Sequence, residues 1–133
     1  MAPLRFEHEE HLLASLASDG NLLVWLASIC ERLNLTPVRV DDWQHVENRE
    51  IFLTLKRYLS SDEPWDLELF QEALPPTLHG RLAHLLAYAA QTPQTNPLMQ
   101  REDAAKVLVR MRIDRLKQET TNIKYLLDEM QRS

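Results

Sequence analysis

The sequence predicts an all-α protein, a helical bundle followed by a long C-terminal helix that projects from it. The 133 residues include only two glycines, well below the usual share of about 7%, which disfavours hairpin turns and phosphate-binding loops. Apolar residues recur at spacings of three and four along most of the chain, as in amphipathic helices. Residues 98–133 contain no glycine or proline, so a single helix is expected there. We therefore divide the chain into a bundle over residues 5–97 and a long helix over residues 98–133.

Capping and breaking residues divide the bundle into about five helices. The first is expected over Phe6 to Ser18, the second from the N-cap Asn21 to Leu33, and the third over Glu47 to Leu59; shorter ones follow the caps Asp66 and Thr77. The second helix is apolar on most sides, which is typical of the central helix of a bundle. The stretch Thr92 to Pro97 is polar, holds two prolines and is the clearest hinge. The large side chains expected in the core are Trp25, Leu26, Trp43, Phe52 and Phe70.

Charge and composition narrow the classes of function. Residues 1–100 carry seven basic and fourteen acidic side chains, net −7, which disfavours nucleic-acid binding by this segment. No apolar run approaches the roughly 20 residues of a membrane-spanning helix, and no signal-peptide pattern opens the chain. A single cysteine, Cys30, agrees with a reducing compartment. These features predict a cytoplasmic protein without membrane contact.

No set of residues has the pattern of a catalytic or metal site. His8 and His11 are three apart on the first helix, but a zinc site needs a third protein ligand, and an exposed polar face explains the pair as well. Cys30 follows Ile29 on an apolar helix and is expected to be a buried thiol. The acidic pairs, such as Asp41-Asp42, lie where helix capping explains them. We therefore expect no catalytic residue, no metal, no cofactor and no enzymatic activity in this segment.

The long helix carries a narrow apolar stripe that needs a covering partner. Its residues follow spacings of 4, 3, 4, 3, 4 and 3, a heptad pattern with one polar member: Val109, Ile113, Leu116, Thr120, Ile123, Leu127 and Met130. Three coverings are open: the second arm of a helical hairpin beyond Ser133, a second chain, or the bundle itself. The basic residues Lys106, Arg110, Arg112, Arg115 and Lys117 are most simply a solvated face.

Seven residues are the candidates for partner binding. Leu116, Ile123, Leu127 and Met130 belong to the apolar stripe, and Arg115, Lys124 and Tyr125 are candidates for the surface around it. Tyr125 lies off the stripe, on the far side of the helix, where an exposed aromatic ring indicates a contact surface.

Three stretches together resemble the C-terminal helicase-binding domain of bacterial DNA primases. The stretches are EEHLLASL at Glu9 to Leu16 with Asn21-Leu22-Leu23, DWQHVENREIF at Asp42 to Phe52, and the long helix with RIDRL at Arg112 to Leu116 and IKYLL at Ile123 to Leu127. The second stretch is the most specific, because it is similar to the family's acidic-aromatic turn followed by an Asn-Arg or His-Arg pair and two bulky apolar residues. The N-terminal domain of the replicative helicase has a similar bundle and turn, and it is the alternative within replication.

The resemblance implies a function that composition and spacing do not address. Such a domain binds the hexameric replicative helicase through a terminal hairpin and modulates it, which couples RNA primer synthesis to unwinding at the fork. The parent chain of that family is a DNA-directed RNA polymerase, a nucleotidyltransferase, whose zinc-binding and polymerase regions are not in this sequence. The remaining alternative is a helical adaptor that self-associates through its C-terminal helix.

Overall fold

A computed structural model describes residues 7–91 and 96–132. Within them the chain forms six α-helices and no strands: α1 (Glu7–Ser18), α2 (Asn21–Arg32), α3 (Val46–Leu59), α4 (Leu67–Ala73), α5 (His79–Gln91) and α6 (Pro97–Arg132), with short 3-10 turns at Val40–Asp42 and Pro76–Leu78. The all-α bundle with a long C-terminal helix is confirmed. The predicted start at Phe6 and most of the predicted hinge, residues 92–95, lie outside the described residues.

The first helix, α1, is the centre of the bundle. It packs against α2, α3, α5 and α6, and its residues from Leu12 to Ala17 are all buried. The prediction that α2 is central was wrong, since Val24 on that helix is 55% exposed and Trp25 is only partly buried beneath the guanidinium of Arg101. Helix α1 tolerates burial because its one fully buried charge, Glu9, has internal hydrogen-bond donors.

Local capping explains several helix ends. Asp66 accepts hydrogen bonds from the Glu68 and Leu69 amides, as its sequence position predicted. The Nδ1 atom of His45 accepts from the Glu47 amide and caps α3. Asn21 is not the N-cap of α2 but its first residue, and the Asp19 side chain just before the helix accepts a hydrogen bond from the Asn21 amide.

The corner between α3 and α4 is built from three aromatic rings. Tyr58 and Phe70 each face Trp65, with ring centroids 5.4 Å apart in both pairs. The Tyr58 hydroxyl donates to the Pro64 carbonyl oxygen over 2.7 Å. Elsewhere in the core the rings of Trp43 and Phe52 pack at 5.2 Å, and both are fully buried with Leu26 and Phe70, which confirms four of the five predicted core residues.

Gly20 leaves the space that Trp65 occupies, so Gly20→Ala is expected to lower the free energy of unfolding. A Cβ atom at Gly20 would lie 2.5 Å from Trp65 Cε3, and the Trp65 ring is packed against both Tyr58 and Phe70. Overpacking of this kind costs about 1–3 kcal/mol. The matched control is Gly80→Ala in α5, where a Cβ meets no atom within 4 Å and a helical alanine gains up to about 1 kcal/mol. Urea unfolding checks the pair, and shifts of the same sign would contradict the packing argument.

The last helix, α6, divides into a bundled half and a projecting half. Ala104, Leu108 and Met111 are buried against the bundle, through α1 and α2. Every described residue from Leu116 to Arg132 is exposed, a length of about 25 Å at 1.5 Å per residue. The bundle therefore presents a projecting helix whose side chains are open on all sides.

Candidate partner-binding face of the C-terminal helix

The apolar stripe predicted from the sequence lies on the surface of α6. Its side chains are between 42% exposed at Ile113 and 64% exposed at Met130, with Leu116, Ile123 and Leu127 within those bounds. From Val109 to Met130 the stripe extends about 32 Å along the helix. The bundle does not cover it, which removes one of the three coverings considered above. An exposed apolar surface of this length is typical of a site for another helix.

One border of the stripe is basic. Lys106 and Arg110 lie beside Val109 and Ile113 around one shallow depression, and Lys117 and Lys124 lie beside Ile113 and Leu116 around the next. We call Lys106, Arg110, Lys117 and Lys124 the basic edge. Lys106 forms an exposed ion pair with Glu102 at 3.1 Å, and the other three have no ion pair with a described residue. The stripe with its basic edge suits an apolar helix that carries carboxylates along one side.

On the border of the stripe opposite the basic edge, α6 contacts the turn before α3 through Asp42. The side chain of this aspartate is fully buried, and its two oxygens accept hydrogen bonds from Nε and one terminal nitrogen of Arg112, each over 3.0 Å. Arg112 also donates to the Pro37 carbonyl oxygen. Its hydrogen bond to Asp42 is the largest cause that raises the pKa of Arg112, so this guanidinium stays charged. The contact fixes where α6 leaves the bundle and in which direction the stripe faces.

Two histidines of α1 contact α6 on another side. His8 Nδ1 lies 3.2 Å from the Asp114 carboxylate, and His11 Nε2 lies 2.7 Å from that of Asp103. His11 Nδ1 is also 2.9 Å from the Tyr88 phenol oxygen, and burial, followed by nearby carboxylates, raises the pKa of that phenol. The two histidines, interpreted from the sequence as an exposed polar face, instead join helices. Spacing alone did not show this, because their partners are 77 to 106 residues away.

The structure separates the seven candidate residues into two groups. Leu116, Ile123, Lys124, Tyr125, Leu127 and Met130 are all exposed on the projecting half of α6. Arg115 has intramolecular partners instead: it donates to the Asp41 carbonyl oxygen over 2.7 Å and lies 3.7 Å from the Asp42 carboxylate. Arg112 and Arg115 therefore do not belong to a solvated face, contrary to the simplest interpretation of the basic run. Lys106, Arg110 and Lys117 do remain exposed.

Metal binding and membrane insertion are two other roles that a helical domain could have. Among residues 7–91 and 96–132, no group of three or more His, Cys, Asp or Glu side chains could hold a metal ion. Cys30 is buried, as its position on α2 predicted. In the same ranges no single helix is long and apolar enough to cross a membrane; α1 and α2 pass that test only as a pair, and the chain bends by 116° between them.

Comparisons with known proteins leave the family open. No protein-family model, no curated protein and no solved structure matches the chain.

Proposed function

We propose that this chain is a non-catalytic protein-interaction domain that binds a partner helix along the apolar stripe of α6. The observation that carries the proposal is the exposure of the stripe over about 32 Å on a helix that is anchored to the bundle at Asp42. The bundle holds the first half of α6, and the projecting half offers the contact surface. Such helix-on-helix docking buries apolar side chains at every third and fourth position.

The particular partner we propose is the hexameric replicative DNA helicase. The chain would then be the C-terminal domain of a cytoplasmic DNA primase, which binds and modulates the helicase and couples RNA primer synthesis to unwinding. This choice rests on the resemblance of the three stretches described above to that family. Helix α6 supports it, because the resemblance implies a bundle followed by a helical hairpin, and α6 would be the first arm of that hairpin.

Charges at the border of the stripe favour a different chain over a second copy. In an antiparallel pair of α6 helices the basic edge of one copy would face the same edge of the other, so Lys117 and Lys124 would meet like charges. In a parallel pair Lys124 would face Glu119, which already lies 3.9 Å from Arg115, and Lys117 would face Arg112, which is bound to Asp42. Neither contact would therefore bring together two charges that lack other partners. A partner helix with Asp or Glu along one side would meet no such repulsion. We therefore place self-association second.

Leu127→Glu is expected to weaken binding to the helicase without unfolding the bundle. The side chain is half-exposed and lies beyond the last bundled residue, so a carboxylate there would disrupt only the interface. Loss of a central apolar anchor costs about 2 kcal/mol or more, roughly 30-fold in affinity. Titration of the full chain with the purified helicase hexamer from the same genome measures the change. Leu98→Glu is the control, since Leu98 is 76% exposed at the other end of α6.

Three outcomes decide between the proposals. Weaker helicase binding by Leu127→Glu, with unchanged binding by Leu98→Glu, supports the helicase assignment. Failure of the wild-type chain to bind the helicase overturns it. In that case sedimentation of the chain tests the adaptor alternative, which requires a concentration-dependent dimer that Leu127→Glu dissociates.

A further inference from the structure

A second binding surface lies between α2 and α3, apart from the apolar stripe. The structure has a groove of about 340 Å³ there, within the range of about 300–1,000 Å³ found for ligand sites. Leu23 and Phe52 are buried in it, and Val38 closes one side. No residue of α6 lines it. The groove therefore does not depend on the function proposed for that helix.

The groove continues past the segment that follows α2. A second depression of about 560 Å³ lies next to the first, and Ala27, Thr36 and Pro37 line both. Two large apolar side chains beside them are exposed, Val24 at 55% and Leu35 at 48%. An open and elongated surface of this kind suits an extended or helical peptide better than a compact small molecule, which is usually enclosed over most of its surface.

The wall of the groove is held in place before any ligand binds. Helix α2 ends in a Schellman motif, in which the Leu35 amide donates to the Cys30 carbonyl and the Asn34 amide to the Glu31 carbonyl. Asn34 supplies the required left-handed conformation, with φ 59°. Further along, the Pro37 carbonyl accepts from Arg112. A preformed wall lowers the conformational entropy lost on binding.

Two cations border the apolar floor. Arg39 and Lys56 both line the groove and are exposed, and neither forms an ion pair with a described residue. The protein as a whole carries a net charge of −5, whereas the described residues that line this groove include these two cations and no acidic side chain. Glu31 lines the second depression instead. The two cations therefore border the first depression, and one carboxylate borders the second.

From these features we infer that the α2–α3 groove binds a peptide segment of a partner protein whose apolar side chains are followed by carboxylates. The apolar residues of the peptide would contact the exposed side chains of Val24 and Leu35, and its carboxylates would lie next to Arg39 and Lys56. Burial of apolar area supplies most of the affinity, and the two cations select for acidic residues at one end.

The experiment uses the full chain and three short synthetic peptides that share one Leu- and Phe-rich pattern. One peptide carries Glu at its C-terminal end, the second Gln and the third Lys. Amide shifts of the ¹⁵N-labelled chain locate the site, and fluorescence anisotropy measures affinity. We expect the Glu peptide to bind best and to shift amides of Leu23, Ala27 and Val38. The double variant Arg39→Glu with Lys56→Glu is expected to weaken the Glu peptide about tenfold or more and to favour the Lys peptide.

Matched controls keep the test specific. Arg57→Glu makes the same charge change as Lys56→Glu on an adjacent exposed residue of α3 that does not line the groove, so it should leave binding unchanged. Val24→Asp places a carboxylate on the apolar surface and should weaken the Glu peptide, while Leu127→Glu on α6 should not. Binding that is equal for the three peptides, or the absence of amide shifts at saturating peptide, overturns the inference. Neither result bears on helicase binding by the apolar stripe.

Discussion

Glu9→Gln is expected to lower the free energy of unfolding by about 3 kcal/mol, since hydrogen bonds to charged groups contribute about 1.5–3 kcal/mol each. Glu9 is 3% exposed, and its carboxylate accepts from the Gln44 and His45 amides and from the Asn48 side chain, over 2.9 to 3.0 Å. A glutamine oxygen can replace only one of the two acceptors. Its amide nitrogen would then face an N–H donor, which stays buried and unsatisfied.

The matched control for this substitution is Glu7→Gln. Glu7 is exposed in the first turn of the same helix, so its substitution makes the same charge change without a buried donor. Guanidinium unfolding followed by circular dichroism compares the two variants with the wild-type chain. A domain of this size has a total stability of about 5–15 kcal/mol, so the expected loss at Glu9 is easily measured. Equal stabilities of the two variants would show that Glu9 does not hold the turn before α3.

Helix ends could be predicted from the sequence, whereas the long-range contacts of Glu9 could not. Helix ends depend on neighbours within a few residues, so the caps at Asp66 and the start of α3 were close to their predicted places. The identity of the central helix depends instead on Glu9 and donors 35 to 39 residues further along. The apolar content of the sequence favoured α2 as the central helix. In the structure α1 is central, and its buried polar groups are satisfied by hydrogen bonds. The spacing of apolar residues along the sequence does not reveal hydrogen bonds between segments so far apart.

The same distinction holds for the candidate binding face. A narrow stripe on a long charged helix could be identified from spacing alone, and its exposure on α6 agrees with that interpretation. The contacts of Arg112 and Arg115 could not be identified, because Asp42 lies about 70 residues earlier in the chain. The α2–α3 groove could not be predicted either. It is formed by two helices and the backbone of the connecting segment, and none of its lining residues is unusual in sequence.

Asp42→Asn is expected to destabilise the domain by about 3 kcal/mol, at the lower end of the range of about 3–5 kcal/mol for breaking a buried ion pair. The lower end applies because Arg112 and Arg115 keep side-chain exposures of 20% and 23% and can be partly solvated. The same change at Asp41, which is exposed and contacts Arg115 only through its backbone carbonyl, should stay within about 0.5 kcal/mol. Urea unfolding measures both, and hydrogen exchange around Met111 should quicken only in Asp42→Asn.

A double-mutant cycle with Arg112→Met separates the ion pair from other effects of Asp42. The pKa of Arg112 is raised, so lowering or raising the pH within the folded range does not remove its charge, and substitution is the direct route. Arg112→Met alone leaves Asp42 with the Arg39 amide at 2.9 Å and Arg115 at 3.7 Å. Because either single change removes the bidentate partner of the other charge, the double variant should lose less stability than the sum, by about 1–3 kcal/mol. Additive losses would show that Asp42 acts by capping its own turn and that packing alone holds α6 to the bundle.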